Sequence, residues 1–191
     1  MPRNILLLIA FIICGFLVTL WIDQSSNPIG LTQITPQPTP EKTTASMQET
    51  LPDFQFTTLD GKTHNISDFH GKIVLLNFWA TWCPPCVVEF PKLVELSSNH
   101  RDVVLIALSN DLSIAPIEKF IARQEPQIQK KIATPSVLIA KDNKGKITAD
   151  LFQTYRLPET IIIDKNGKMV KKIVGDTDWE SKAITSLLGS L

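Results

Sequence analysis

IVLLNFWATWCPPCVVEFP, residues 73–91, joins two different hydrophobic periods through a pair of cysteines. Ile73 to Trp79 is almost continuously apolar and rich in β-branched and aromatic side chains, which predicts a central strand covered on both faces. From Pro84 to about Asn99 apolar residues recur at Val88, Leu93, Val94 and Leu96, which predicts a helix with Pro91 kinking it from within. Cys83 then falls at or near the helix N-cap. Pro84 and Pro85 take the first helical positions, where a missing N–H costs least, and Cys86 takes the third.

Further elements follow on both sides. Phe54 to Leu59 and Lys62 to Ile66 read as strands joined at Asp60-Gly61, with a brief helical turn at Ser67 to Phe69. Val103 to Leu108 is a second buried strand, and Pro116 to Gln124 a helix capped by Ser113. Val137 to Ala140 is a short strand, Asp142 to Gly145 a turn, and Thr148 to Tyr155 helical. Thr160 to Asp164 and Lys168 to Val174 are strands about the turn at Asp164 to Gly167. Asp178 to Leu188 is a last amphipathic helix, capped within Asp176 to Asp178. The order predicts a mixed α/β sheet with helices on both faces.

Two cysteines three positions apart can bind metal, staple a loop or pass electrons. Tetrahedral zinc needs four ligands, and the soluble part has no other cysteine. His64, His70 and His100 stand at no paired spacing. A structural disulfide here would close a very short loop and stabilise little. Copper held by the pair plus one histidine stays open as an alternative on ligand softness. Redox chemistry uses both spacing and position. The sulfurs come close together, and Cys83 meets the positive end of the helix dipole, which favours its thiolate.

WCPPC after IVLLNFWAT, a proline inside the following helix, and the later segment Tyr155-Arg156-Leu157-Pro158-Glu159-Thr160 together resemble the thioredoxin fold. The closer resemblance is to the membrane-anchored TlpA/ResA-like and cytochrome c biogenesis (CcmG/DsbE-type) thiol–disulfide proteins, over about Leu51 to the C-terminus. It implies a thioredoxin fold with an N-terminal β-hairpin and a central helical insert. It implies that Pro158 is a cis-proline facing the cysteines, with the Leu157 backbone presented to an extended substrate. Glu89, in the run Glu89-Phe90-Pro91, matches a glutamate of ResA-like proteins. On one helix face with Cys86 it could move that thiol's proton. Ordinary thioredoxins carry an acid six positions before the first cysteine, where this chain has Asn77. Trp82 is expected to shield Cys83 or touch a partner, and Trp79 to pack in the core. Asp164 reads as a turn residue, and Glu159 is assigned no role.

The expected activity is that of a thiol–disulfide oxidoreductase. Cys83 and Cys86 form the redox disulfide, Glu89 assists, and Trp82, Leu157 and Pro158 bind substrate. No cofactor or metal is called for. Pro84 and Pro85 offer no N–H to Cys83, so its thiolate is less stabilised than in a strong oxidant, which predicts a reductant. The resemblance implies resupply by a membrane thiol transporter of the CcdA/DsbD type. It points to apocytochrome c or copper-site proteins as substrates, with general periplasmic disulfide reduction as a further alternative. A copper metallochaperone is the alternative from another class.

Ile5 to Ile22 is uncharged and follows Arg3, which predicts a signal-anchor membrane helix over residues 1–22 with the rest exported. TLWIDQSSN offers no small-residue cleavage site, and Ile13 before Cys14 argues against lipid attachment. Residues 23–50 are rich in Pro, Thr and Gln and read as a flexible linker. Residues 51–191 are the thioredoxin-like domain, expected on the periplasmic side of the cell inner membrane. Lys plus Arg and Asp plus Glu balance at 19 each, which leaves no net field to attract nucleic acid.

Overall fold

Alternation along the buried strands sorts the core into two layers. In β3 (Ile73–Trp79) the residues Ile73, Leu75 and Trp79 join one core, while Val74, Leu76 and Phe78 join the other. β4 (Val103–Ser109) divides in the same way, with Val103, Leu105 and Ala107 opposite in sense to Val104, Ile106 and Leu108. A strand buried on both faces has no polar face to show, which is why its sequence is continuously apolar.

The structure, a computed structural model, describes residues 51–191, so the predicted membrane helix and linker lie outside the described residues. Among the described residues no helix is long and apolar enough to cross a membrane. β1 (Gln55–Thr57) and β2 (Thr63–Asn65) form an antiparallel hairpin, followed by a 3-10 turn over Ile66–Phe69. β5 (Val137–Lys141), β6 (Glu159–Ile163) and β7 (Met169–Val174) complete a five-stranded sheet in the order β5-β4-β3-β6-β7. β3, β4 and β5 run parallel, and β6 is antiparallel to both β3 and β7.

The helices are α1 (Pro84–Asn99), α2 (Ile114–Ala122), α3 (Pro126–Ile132) and α4 (Lys182–Gly189). Buried apolar residues of all four, among them Phe90, Leu93, Ile117, Ile128 and Ile184, pack into the same core. The opposite core is covered by Phe54 and Phe56 of the hairpin segment, Ile66, and Ile147 and Phe152 beside a π-helical turn at Lys146–Leu151. Helices on both faces were expected; the second face is covered instead by the hairpin and single turns.

Other boundaries shift for identifiable reasons. α2 starts at Ile114, after Ser113 as expected, and places Pro116 third. α3 is unanticipated: PQIQKKI buries only Ile128, so it shows no apolar period, although Pro126 at its first position is a helix-start signal. The predicted helix at Thr148 to Tyr155 is the π-helical turn, pinned by the Asp142 carboxylate, which accepts from the Ile147 and Thr148 N–H groups at 3.2 and 2.7 Å. α4 begins four residues late. Ser181 Oγ, not Asp176 to Asp178, accepts from the Ile184 N–H, and Trp179 is drawn into the core ahead of the helix.

The hairpin also touches the sheet. Thr58 bridges Ala140 of β5, and the Leu59 N–H donates to the Ile139 carbonyl at 2.9 Å. Asp164 is the turn residue expected, accepting from the Asn166 and Lys168 N–H groups at 2.9 and 2.8 Å.

Candidate functional site

β3 ends at Trp79, and the chain must turn sharply to start α1. The Cys83 N–H donates to the Ala80 carbonyl at 3.2 Å, and the Trp79 carbonyl accepts from Asn110 at 2.8 Å. Cys83 is the N-cap with extended backbone, Pro84 and Pro85 follow, and Cys86 is third in the helix. The two cysteines form a disulfide with Cα atoms 5.3 Å apart, and both are buried. α1 continues across Pro91, whose missing N–H leaves the Val87 carbonyl without its usual helical donor.

The turn is fastened by a residue that the sequence did not single out. The buried Asp111 carboxylate accepts from the Thr81 N–H at 2.9 Å, the Thr81 hydroxyl at 2.6 Å and the Ser109 hydroxyl at 2.7 Å. An Asp two residues past a strand gives only a loop signal, so its target was not legible. Asp111→Ala would strip the acceptor from these donors. A loss of about 1–3 kcal/mol is expected, read as a lower urea midpoint.

Glu89 is not the solvated helix residue that its type most often is. It is only 1% exposed. Its Oε1 accepts from Asn77 Nδ2 and its Oε2 from Trp179 Nε1, each at 3.2 Å. Asn77 spends its other amide proton on Thr160 Oγ1 at 2.9 Å, across the β3–β6 pairing. Burial pushes the Glu89 carboxyl up from 4.5 to about 7, against the Trp179 and Asn77 hydrogen bonds, which favour the charged form; Asp176 adds a smaller upward push and Lys92 a smaller downward one. Asn77 thus stands in the position of the usual buried acid and holds a different acid from the neighbouring helix.

Trp179 is the second residue missed. A buried indole N–H usually pairs with an acceptor, but nothing in GDTDWESK says that the acceptor lies on a helix 90 residues earlier. Trp179→Phe keeps the packing and removes one donor to the carboxylate. The Glu89 pKa is expected to rise from about 7 to a higher value, measured by carboxyl-resolved NMR titration. An unchanged or lowered value would contradict this arrangement.

The Leu157–Pro158 peptide is cis. Phe78 pairs with Glu159, so Pro158 lies at the end of the sheet where β3 leads toward Cys83. The Pro158 carbonyl accepts from Gly175 at 2.8 Å, while no hydrogen bond of the Leu157 backbone occurs among the described residues. Trp82 is 64% exposed and shares a groove of about 410 Å³ with Leu157. Trp79 is fully buried against Phe90 and Phe120, as expected. Glu159 is buried and structural: it accepts from the Thr154 hydroxyl and pairs with Lys172 at 3.0 Å, and Lys172 also donates to the Phe152 carbonyl. The predicted site residues thus come from two elements. Cys83, Cys86 and Glu89 belong to α1 and its cap, with Trp82 just before. Leu157 and Pro158 enter β6 at the same end of the sheet.

The sequence and the fold of this chain are matched by known proteins. Residues 47–188 match the Redoxin family. The thiol-disulfide oxidoreductase ResA of Geobacillus thermodenitrificans is 35% identical over 137 residues, covering 71% of this chain and 73% of that protein. ResA of Bacillus cereus is 34% identical over 131 residues, covering 68% and 70%. A chain from Chlorobium tepidum described as a thiol:disulfide interchange protein DsbE superposes with a TM-score of 0.63 at 26% identity, over 75% of this chain and 96% of that one. The exposed lipoprotein thioredoxin Etrx1 of Streptococcus pneumoniae superposes at 0.59 with 27% identity, over 73% and 100%. The chain therefore belongs to the redoxin family and, within it, to the thioredoxin-like thiol–disulfide oxidoreductases of the ResA and DsbE type.

Proposed function

We propose that this oxidoreductase is a membrane-tethered, extracytoplasmic reductase of protein disulfides, serving cysteines in cytochrome c or copper-site maturation. The observation that carries the reading is Glu89: a buried carboxyl poised near neutrality, three residues after Cys86 on the helix that Cys83 caps. The Cys83 thiolate attacks one sulfur of a substrate disulfide and forms a mixed disulfide, and the other substrate sulfur leaves as thiolate. Cys86 gives its proton to the Glu89 carboxylate and attacks Cys83 Sγ. The Cys83–Cys86 disulfide forms, and the second substrate sulfur leaves. Two electrons pass to the substrate, and protons from water neutralise its thiolates. A pKa near 7 lets one carboxyl take this proton and return it when the disulfide is reduced again. Leu157, Pro158 and Trp82 hold the substrate chain beside Cys83.

The direction follows from the helix start. Pro84 and Pro85 lack N–H groups, so the Cys83 thiolate has few backbone donors and the dithiol form is a willing donor of electrons. The apolar run over residues 5–22 behind Arg3 supports a tether in the cell inner membrane with the domain on the periplasmic side. In such a place a reductant needs electrons from a membrane thiol transporter of the CcdA/DsbD type. The test is equilibration of the purified protein in thiol redox buffers. A reduction potential close to that of thioredoxin, about −270 mV, is expected. A value close to the oxidant DsbA, about −120 mV, would overturn the reductase reading.

A further inference from the structure

Large apolar side chains left in water near a reactive centre mark a contact surface. Trp82, Leu112 and Tyr155 are 64%, 99% and 88% exposed, and all three line the groove that Leu157 also lines. That groove continues away from the disulfide. Lys141 and Asp142 line both it and a second groove that carries exposed Ile114 and Lys146, while Lys144 lines the first. The solvent-exposed charges lining this path are all positive. Its two carboxylates, Asp111 and Asp142, are buried and occupied, Asp111 by Thr81 and Ser109 and Asp142 by the backbone N–H groups of Ile147 and Thr148. Lys144 and Lys146 are exposed, Lys141 is half-buried, and none of the three forms an ion pair among the described residues.

We infer that this path selects the substrate: it takes an extended polypeptide segment with large apolar or aromatic side chains next to its disulfide and acidic side chains farther along. The inference rests on the reductase reading for its chemistry. Trp82, next to Cys83, and Leu112 and Tyr155 along the same groove supply apolar contact that a small disulfide would leave in water. Lys141, Lys144 and Lys146 then attract and align the acidic part, mainly through the rate of encounter.

The test uses two cystine peptides with the same aromatic residue beside the disulfide, one continuing with Asp and Glu and the other with Lys. The reduced protein is expected to favour the acidic peptide in kcat/KM by about ten-fold at low ionic strength, and less as salt is added. Combined Lys141→Glu, Lys144→Glu and Lys146→Glu is expected to reverse the ratio, and Leu112→Ser to lower kcat/KM for both peptides. Equal rates for the two peptides, unmoved by salt or by the charge reversal, would overturn the inference. Reduction of bis(2-hydroxyethyl) disulfide by the unaltered protein separates the two readings, since its failure strikes the reductase reading. A cysteine-free acidic peptide then tests the path by itself. NMR shift changes at Leu112, Lys144 and Tyr155 are expected, and their absence overturns the inference whatever the protein reduces.

Discussion

Replacing Cys86 with alanine is expected to leave Cys83 covalently joined to its substrate. Attack by Cys83 needs only its own thiolate, so the first exchange still occurs. Release needs a second sulfur directed at Cys83 Sγ, and Cys86 is the partner to which the structure bonds it. The mixed disulfide should accumulate as an adduct on non-reducing gels and dissolve with dithiothreitol. Turnover should fall on the order of 10³-fold or more, the scale on which loss of a covalent catalyst acts. Cys83→Ala should show no adduct and the same loss. Normal turnover by Cys86→Ala, or an adduct formed by Cys83→Ala, would reverse or remove the assigned roles. The trapped adduct also identifies the physiological partner.

Glu89→Gln is the second large effect, and it has two readouts. An amide cannot carry a proton, so the resolving step should slow by about 10²-fold or more, and the inflection near pH 7 should vanish from its profile. Stability changes in a way that packing alone would not produce. The folded carboxyl titrates at about 7 and the unfolded one at 4.5, so between these values the folded protein binds more protons. Stability of the disulfide form is therefore fully present below 4.5 and falls as pH rises through 7. The total is about 3 kcal/mol for this one group. Glu89→Gln should lack that fall, so the gap between the two proteins should move in the variant's favour from pH 4.5 to pH 8 in urea titrations. Parallel pH dependences would show that Glu89 is not held protonated by burial.

The parts of this molecule that were legible are those with local causes. β3 could be read from Ile73 to Trp79 because burial on both faces leaves no polar residue to blur its limits, Asn77 apart. α1 could be read from Pro84 because proline suits the first helical positions and an apolar period follows. The cysteines follow from these two elements. The environment of Glu89 was not legible, since it is assembled from Asn77 on β3 and Trp179 ahead of α4. The same holds for Asp111, whose partner Thr81 lies 30 residues away. α3 escaped notice because a short helix that buries one isoleucine has almost no period. The helix expected from Thr148 starts earlier, at Lys146, and is a π-helical turn, because the Asp142 carboxylate holds its first N–H groups, a side-chain contact that propensity does not record.

An open sheet edge invites a foreign strand to join it. Its own sheet has two flanks. β7 carries the exposed Lys171, a charge that discourages stacking of a foreign strand. β5 is more apolar, and there the hairpin tip leans across, with Leu59 taking the Ile139 carbonyl and Thr58 lying along Ala140. The hairpin is thus a bumper as well as the cover that Phe54 and Phe56 lay over the second core. It keeps an extended chain from zipping onto the sheet along β5.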